Sequence, residues 1–455
     1  MKTIKHLLLI LPLAWAISCQ PKLEMDFEDG ELIHSAMQQL TDIIVYDIFS
    51  PPVASRIYSY ASIAAYQAML PAHPEYESLE GQIRGLENMP QPEADKQYNH
   101  AVAGVHAFLT VGRALIFSED KMEAYQQQLY DKFERALDGD VYENSMTYGQ
   151  LVADRVLEWA DKDQYKQTRT FPKFTVKDEP GRWQPTPPDY MDGIEPHWSA
   201  IRPLVIDSAQ QFKPAPPTPF SLEEGSQFYN EMMEVYETGN NLTDEQEEIA
   251  KFWDCNPYVS HHQGHVMFAT KKITPGGHWI GIAAIASRQS NASLMQATEA
   301  YAFTSVALMD AFISCWDEKY RSSLIRPETI INQHIDPDWT PLLQTPPFPE
   351  YTSGHSVISA SAATALTHIF GENFAFNDTT EVMYGLPARD FESFKAASEE
   401  AAISRLYGGI HYMPACSVGV LQGRKVGGFV VSNLKTLKDR PTATAMVEEE
   451  LTLMK

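Results

Sequence analysis

The chain reads Lys319-Tyr-Arg-Ser-Ser-Leu-Ile-Arg326-Pro327 in its last third, then Thr352-Ser353-Gly354-His355, and finally Ser404-Arg405, followed after five residues by His411. These three motifs decide the fold and the chemistry. They supply one lysine, two arginines, two histidines, a serine and a glycine backbone. Such groups can surround a tetrahedral oxyanion and bring an imidazole to its central atom. We therefore expect the motifs to meet in one pocket.

The composition is that of a large acidic protein with a substantial core. The chain has 455 residues, 44% of them hydrophobic, and a formal net charge of −25 at pH 7. A negative surface repels phosphate backbones, so nucleic acid is excluded as a partner. Against this background a cluster of cationic side chains needs a specific purpose, and the binding of an anion would provide it.

The first motif predicts a cationic helix face. Arg326 lies seven residues after Lys319, close to two turns of an α-helix, so both side chains would point the same way if the helix continued. Pro327 would then end or bend that helix. The alternative is an exposed basic face, because runs of charge are usually solvated.

The second motif predicts the start of a helix that can meet an anion. Thr352 or Ser353 is a suitable N-cap, and Gly354 allows the backbone to approach a ligand closely. His355 falls in the first turn, where free N–H groups and the helix dipole attract negative charge. An ordinary capped helix start is the alternative.

The third motif lies where a helix of about Phe391 to Tyr407 ends at Gly408-Gly409. Arg405 and His411 would flank that turn. A lone histidine in such a position is more often structural. Only the order of all three motifs argues for a shared site.

Outside the motifs the sequence predicts an all-α protein. Apolar residues recur at three-to-four spacing over Leu32–Phe49 and Pro52–Met69, and similar patterns follow further along the chain. Prolines crowd residues 166–220, which predicts a long irregular connection. The predicted parts are an N-terminal helical region of residues 31–220, a C-terminal helical domain of residues 221–440 that carries the anion site, and a tail of residues 441–455.

The N-terminus resembles the export signal of a bacterial lipoprotein. Lys2 and Lys5 belong to a basic start, which is followed by an apolar run too short to span a bilayer. The run ends in Ala-Ile-Ser-Cys19, in which the cysteine would be lipidated and become the mature N-terminus. Residues 1–18 are therefore predicted to be a signal peptide and residues 19–30 a tether. We expect an exported protein anchored by lipid in the cell envelope, in the periplasm or at the outer membrane.

The other cysteines and a group of histidines bear on metal binding. Three cysteines remain besides the lipidated one: Cys255, Cys315 and Cys416. They permit at most one disulfide, and the absence of a CxxC pair argues against a thiolate zinc site.

Four histidines lie close together in the sequence: His261, His262, His265 and His278. A metal site there is conceivable, but no nearby pattern of carboxylates completes it, so a loop or helix surface is the simpler interpretation.

In this order, the three motifs resemble the superfamily shared by type-2 phosphatidic acid phosphatases and vanadium-dependent haloperoxidases. Its signature is Lys-x6-Arg-Pro, then Pro-Ser-Gly-His, then Ser-Arg-x5-His. The first and third parts match fully, and the second has Thr352 in place of proline. The resemblance covers about residues 310–430 and implies helical bundles of the vanadium haloperoxidase type, with the anion site in the C-terminal bundle.

Two details of the resemblance favour the haloperoxidase branch. Trp316 and Phe348 match the aromatic pair near the halide region of vanadium chloroperoxidase. The phosphatases of the superfamily usually carry aspartate four residues after the last histidine, where this chain has Ala415. The partner that orients His411 is therefore not visible in the sequence.

The resemblance implies vanadate as the cofactor, with phosphate as a competing occupant. His411 would bind the vanadium axially, His355 would deprotonate hydrogen peroxide, and Lys319 would polarise the bound peroxide for attack by a halide. The groups that would neutralise the equatorial oxygens are Lys319, Arg326, Ser353, Gly354 and Arg405.

Two other functions stay open. A phosphomonoesterase would use the same cage, with His411 as the nucleophile and His355 as the acid that protonates the leaving group of a small phosphoester. A lipid-anchored binding protein without catalysis would retain only a degenerate site.

Overall fold

The computed structural model describes residues 22–440 and contains, within that range, fourteen α-helices and four short strands. The helices are α1 (Glu31–Tyr46), α2 (Pro51–Met69), α3 (His100–Ala114), α4 (Glu119–Ala136), α5 (Gly139–Ala160), α6 (Tyr165–Thr168), α7 (Gln227–Asn240), α8 (Asp244–Phe252), α9 (Pro275–Gln289), α10 (Leu294–Ser322), α11 (Pro327–His334), α12 (Gly354–Phe370), α13 (Phe394–Tyr407) and α14 (Met413–Asn433). The strands are β1 (Val259–Gln263), β2 (Val266–Thr270), β3 (Phe376–Asp378) and β4 (Arg389–Phe391).

The prediction of an all-α protein is confirmed for the described residues, because the strands form only two small antiparallel hairpins. In the first hairpin β1 pairs with β2, so that Val259 lies opposite Thr270. His261 and His262 therefore lie on a strand and His265 in its turn, not on a helix surface.

α10 is the central helix of the fold. It packs against α2 and against α12, and almost all of its side chains are buried. α2 is rich in alanine and serine, which lets its neighbours approach closely, and the Ser59 hydroxyl donates to the backbone carbonyl of Ser305 on α10 at 2.7 Å. Because Lys319 lies near the C-terminal end of α10, packing of this helix carries a lysine into the protein interior.

α12 and α14 pack against each other at three glycines of α14: Gly419, Gly423 and Gly427. A Cβ on Gly423 would lie 2.1 Å from the carbonyl oxygen of Val357 on α12. The four-residue spacing places these glycines on one face of α14 and lets the two helices approach closely. The N–H of Ser353 also donates to the carbonyl of Ala415 at 3.0 Å, so α14 holds the start of α12 in place.

Residues 166–220 form the predicted irregular connection, which contains the end of α6 and one turn of 3-10 helix at Trp198–Ala200. The carboxylate of Asp310 on α10 holds this connection. It accepts the N–H groups of Leu204, Val205 and Ile206 at 2.7 to 2.9 Å. The boundary proposed between residues 220 and 221 stays a prediction.

The predicted signal peptide, Cys19 and the tail of residues 441–455 lie outside the described residues. The described part of the predicted tether lies against the helices. The N–H of Leu23 donates to the carbonyl of Arg135, and the N–H of Leu294 donates to the carbonyl of Glu28. Within residues 22–440, no helix combines the length and the apolar character that crossing a bilayer requires.

Candidate active site

The first motif is split between two helices. α10 ends at Ser322, Ser323 adopts a left-handed conformation with a φ of 49°, and Pro327 occupies the first turn of α11. The helix does not continue to Arg326, so the condition under which Lys319 and Arg326 would share one helix face is not met. A left-handed residue ends a helix, and proline suits the first turn of the next one because its missing N–H would have no partner there.

The second motif begins α12 as predicted. Ser353 is the N-cap, and its hydroxyl accepts a backbone N–H of the first turn at 3.3 Å. Gly354 is the first residue of the helix, and a Cβ there would lie 3.6 Å from the Trp316 ring and 3.8 Å from Cε of Lys319. The start of α12, with its free N–H groups, therefore lies beside the buried lysine.

The third motif ends α13 as predicted. Arg405 lies in the last turn, and Gly409 has a φ of 75°, a conformation that glycine adopts without strain and that redirects the chain toward His411. The Arg405 guanidinium donates from Nη2 to the carbonyl of Trp253 at 2.7 Å and from Nε to the Ser404 hydroxyl at 2.9 Å.

Contacts between the motifs confirm that they meet in one place. Nη1 of Arg326 lies 3.1 Å from Nε2 of His411. The Lys319 ammonium and the Arg326 guanidinium lie over the ring of Phe348, at 4.9 and 5.1 Å from its centroid. One cavity is lined by residues of the second and third motifs: Gly354, His355, Arg405 and His411.

The site has an excess of positive charge. Lys319, Arg326 and Arg405 are between 0% and 2% exposed. Within the described residues their hydrogen bonds go to carbonyl oxygens, to a serine hydroxyl and to His411. Burial lowers the pKa of Lys319 to about 7 and that of Arg326 to about 10, and it also lowers the pKa of Arg405. A bound anion would supply the missing negative charge.

Glu350 is the partner of His411 that the motifs do not reveal. Its Oε1 lies 2.8 Å from Nδ1 of His411 and accepts the N–H of Tyr412 at 3.0 Å. The side chain is fully buried. Burial raises the pKa of Glu350 to about 7, although the charges of Arg326 and Lys319 act in the opposite direction.

This contact corrects the inference drawn from Ala415. The chain does place a carboxylate on His411, but it comes from 61 residues earlier instead of four residues later. The only signal in the sequence is a glutamate two residues before the second motif, in a stretch that is otherwise largely apolar and rich in proline. Its partner could not be named without the fold.

The contact also sets the state of His411. Burial, together with the charges of Arg326 and Lys319, lowers the pKa of His411 well below its usual value, so the ring is neutral at neutral pH. With the Nδ1–H group donating a hydrogen bond to Glu350, the lone pair lies on Nε2 and accepts a hydrogen bond from Nη1 of Arg326. That nitrogen would become a ligand once Arg326 turned to the oxygens of a bound anion.

His355 is neutral as well. Burial and the nearby charge of Arg405 lower the pKa of His355 well below its usual value, while a hydrogen bond to the carbonyl of Trp253 acts in the opposite direction. Its Nε2 is buried and has no hydrogen-bond partner among the described residues. A neutral imidazole with one unoccupied nitrogen can accept a proton from a bound molecule.

Trp253, whose carbonyl holds both Arg405 and His355, is a second positioning residue that the motifs do not reveal.

The cavity above these groups has a volume of about 290 Å³. Trp316 and Phe348 both line it, with ring centroids 5.1 Å apart, as expected for the aromatic pair. The rest of the wall is largely apolar, and its members include Ile48, Pro51, Ile194, Phe312 and Ile410. A small molecule that reaches the cationic groups must therefore pass along an apolar surface.

These groups fit a tetrahedral oxyanion such as vanadate or phosphate. Among residues 22–440, three buried cations have no carboxylate in direct contact, a helix begins at Gly354 without a side chain in the way, and His411 directs the lone pair of Nε2 at the cations. Nε2 of His355, which has no partner among the described residues, could hydrogen-bond to a further group of a bound molecule.

Comparison with known proteins identifies the family and the fold. Residues 299–440 match the family described as the VCPO second helical-bundle domain. The crystal structure of "the first bacterial vanadium dependant iodoperoxidase" has a TM-score of 0.88 and 54% identity, covering 92% of this chain and 100% of that chain. No curated protein matches the chain.

Two further structures share the fold at lower identity. The holo-type bacterial vanadium-dependent chloroperoxidase has a TM-score of 0.67 at 17% identity, covering 90% of this chain and 98% of that chain. The apo-type bacterial vanadium-dependent chloroperoxidase has a TM-score of 0.65 at 16% identity, covering 85% of this chain and 95% of that chain. The helical bundles are thus of the VCPO type, and the identity to the iodoperoxidase shows that the chain belongs to the vanadium-dependent haloperoxidase family.

Proposed function

We propose that this enzyme oxidises halide with hydrogen peroxide in a vanadate-dependent reaction, and that iodide is the halide it uses. The observation that carries the proposal is His411 inside a buried cationic cage: Glu350 bonds its Nδ1, so the Nε2 lone pair faces the cage, where Arg326 is its hydrogen-bond partner. The similarity to a bacterial iodoperoxidase, at 54% identity over 92% of the chain, supports iodide.

The cage residues would hold vanadate through charge and hydrogen bonds. Nε2 of His411 would bind the vanadium, and Lys319, Arg326 and Arg405 would neutralise the oxygens together with the Ser353 hydroxyl and the Gly354 N–H. When bound, vanadate supplies a Lewis-acidic centre that activates hydrogen peroxide toward a halide without a redox change in the protein.

The remaining residues prepare the reactants. His355, neutral and unpaired at Nε2, accepts the proton that hydrogen peroxide loses on binding. The Lys319 ammonium donates to the carbonyls of Pro349 and Glu350 at 3.0 Å. From this position it would polarise the nearest oxygen of hydrogen peroxide. Because the cage is fully buried, these charges act in a medium of low dielectric constant, where they are strongest.

The apolar cavity supports iodide as the halide. Trp316, Phe348 and Phe312 form part of its wall. Iodide is large and weakly hydrated, so it loses less free energy than chloride when it leaves water for such a surface. The aromatic edges around the cavity offer a favourable electrostatic contact to an anion.

The test is an assay of the purified protein with iodide and hydrogen peroxide, with and without added vanadate. The wild type should be active only with vanadate. His411→Ala should lose vanadate binding in calorimetry, whereas His355→Ala should keep it and lose activity by roughly 10²–10⁴-fold, as expected for an acid–base group. His106→Ala, a buried histidine bonded to Tyr130 and distant in sequence from the motifs, is the matched control. Wild-type protein that binds vanadate and oxidises no halide would contradict the proposal.

A phosphomonoesterase activity of the vanadate-free protein is the second candidate, and Glu350 is the observation that favours it. A carboxylate on Nδ1 of His411 is the arrangement that a histidine nucleophile needs. We expect slow hydrolysis of a generic phosphomonoester that added vanadate abolishes, since both anions compete for one cage. Rapid hydrolysis without any vanadate-dependent halide oxidation would make the phosphatase the main function.

We further propose that the protein is exported and anchored by a lipid on Cys19. The basic start, the short apolar run and the residues before Cys19 support this proposal. Radiolabelled fatty acid should be incorporated into the wild type in cells and not into Cys19→Ala. Labelling that persists in the variant would rule the anchor out.

A further inference from the structure

A second cluster of potential ligands lies outside the cage. Three side chains from separate segments each bring one ligand atom close to the other two. They are Cys255 in the segment after α8, His278 in the first turn of α9, and Glu381 between β3 and β4. Nδ1 of His278 lies 3.0 Å from Oε1 of Glu381 and 3.4 Å from Sγ of Cys255, and the sulfur lies 3.8 Å from the carboxylate oxygen. All three side chains are 0% to 1% exposed.

The triangle of these atoms has the size of one face of a zinc tetrahedron. Bonds of about 2.0–2.3 Å at tetrahedral angles place a nitrogen, an oxygen and a sulfur roughly 3.3–3.6 Å apart. The observed separations of 3.0, 3.4 and 3.8 Å are centred on that range and extend slightly beyond it on both sides. Thiolate, imidazole and carboxylate are also the ligand types that Zn²⁺ takes in proteins.

The surroundings of the triangle supply independent support. Oε2 of Glu381 is buried and has no hydrogen-bond partner among the described residues, so part of its charge is uncompensated by the protein. The other nitrogen of His278 lies 2.8 Å from the carboxylate of Asp378. A carboxylate on the far nitrogen of a histidine is the usual arrangement that orients a metal-bound imidazole. The Thr380 hydroxyl donates to the same carboxylate at 2.6 Å and fixes it in place.

From this arrangement we propose that Cys255, His278 and Glu381 bind a structural Zn²⁺ ion. The ion would tie the segment after α8 to α9 and to the β3–β4 connection. The ring of Trp253 stacks on His278 at 4.6 Å, and the carbonyl of Trp253 holds Arg405. The zinc would therefore brace the backbone that positions one cation of the cage. The three ligands come from distant segments, which explains why neither a CxxC pair nor a histidine cluster revealed them.

The first test is the zinc content of the untagged mature protein, measured by mass spectrometry of the metal after dialysis. We expect about one Zn²⁺ per chain in the wild type and a loss of at least about tenfold in Cys255→Ser and His278→Gln. Cys416→Ser and His106→Gln, which change buried residues outside the cluster, should retain the wild-type content. Vanadate should not affect any of these values, so the result is independent of the proposed catalytic activity.

The second test needs no variant. Wild-type protein in which Co²⁺ replaces zinc should show the near-ultraviolet absorption band of a thiolate bound to cobalt, and a chelator should remove the band and lower Tm. Zinc that stays bound in both cluster variants would overturn the proposal. So would a wild type that holds less than about a tenth of an ion per chain and takes up neither metal, because the cluster would then be a hydrogen-bonded network with a protonated His278 between two carboxylates.

Discussion

His411 owes its chemical state to Glu350 and to the two cations beside it. The carboxylate accepts a hydrogen bond from Nδ1–H, and burial with the charges of Arg326 and Lys319 keeps the ring neutral. The lone pair then lies on Nε2, where it accepts a hydrogen bond from Arg326. A histidine that is exposed and unpaired would share its proton between both nitrogens and would be a weaker ligand.

Replacing Glu350 should weaken vanadate binding. In Glu350→Gln the amide can turn its NH2 group toward Nδ1, which favours the wrong tautomer of His411, so we expect the affinity to fall about 10–100-fold. Calorimetric titration with vanadate measures the change. Glu299→Gln, which alters a buried carboxylate paired with Arg440, is the control and should bind vanadate normally. Equal affinities for Glu350→Gln and wild type would show that the contact does not set the state of His411.

Lys319 should make vanadate binding dependent on pH. Burial lowers the pKa of Lys319 to about 7 in the absence of an anion, and a bound anion raises it again. Above pH 7 the lysine must take up a proton when vanadate binds, so the affinity falls as the pH rises, by up to about tenfold per pH unit.

The comparison of wild type with Lys319→Met isolates this effect. Vanadate has its own ionisation, which affects both proteins equally and cancels in the ratio of their dissociation constants. We expect the dissociation constant of Lys319→Met divided by that of the wild type to be largest below pH 7 and to shrink toward pH 9. A ratio that does not change with pH would mean that the lysine is charged whether or not the anion is present.

At the scale of elements, the site depends on how closely α12 and α14 approach. The glycines of α14 allow backbone contact with α12, and α14 holds the N-cap residue Ser353 through the carbonyl of Ala415. The start of α12, where Gly354 and His355 lie, is therefore positioned by the contact between the two helices. Helix propensity alone would favour alanine at the glycine positions.

Gly423→Ala should destabilise the protein and disturb the site. The new Cβ would lie 2.1 Å from a backbone oxygen of α12, so the helices must separate, at a cost of about 1–3 kcal/mol or more in the free energy of unfolding. Vanadate affinity should fall as well. Gly139→Ala, whose Cβ would meet nothing within 4 Å, should change stability by no more than about 0.5 kcal/mol. Urea unfolding of the vanadate-free proteins measures the free energy of unfolding of both variants. Equal stabilities of Gly423→Ala and Gly139→Ala would contradict the argument that Gly423 is needed for the close approach of α12 and α14.

At the scale of the whole molecule, Asp310 joins the irregular connection to the central helix. Its carboxylate is fully buried and receives three successive N–H groups, from Leu204 to Ile206. These N–H groups have no regular secondary structure to pair with, so the carboxylate replaces the partners that a helix or sheet would supply.

Asp310→Ala should therefore be strongly destabilising. It leaves three buried N–H groups without an acceptor, and we expect the free energy of unfolding to fall by at least about 3 kcal/mol. The connection should also become a site of limited proteolysis. Asp207→Ala, which removes an exposed carboxylate next to the same segment, should cost no more than about 1 kcal/mol. A similar loss in both variants would show that the buried carboxylate has no special role.

The local features of this protein could be read from its sequence. Apolar periodicity predicted α1 and α2 to within a few residues, and Ser353 caps α12 as expected, because periodicity and capping depend on neighbours three or four residues away. The sequence left open whether Lys319 and Arg326 share a helix. A left-handed serine ends one helix and a proline at N1 begins the next, so they do not.

The residue types of the cage were determined by the sequence, and their surroundings were decided by the tertiary structure. Lys319, His355 and His411 stand in recognisable motifs, whereas the Glu350 carboxylate and the Trp253 carbonyl reach them from 61 and about a hundred residues away. Cys255, His278 and Glu381 meet in the same manner. Such contacts follow from the packing of α10, α12 and α14, and no local pattern encodes which distant side chain will fill a buried position. Burial itself, which sets the charge of Lys319 and both histidines, likewise exists only once the helices have packed.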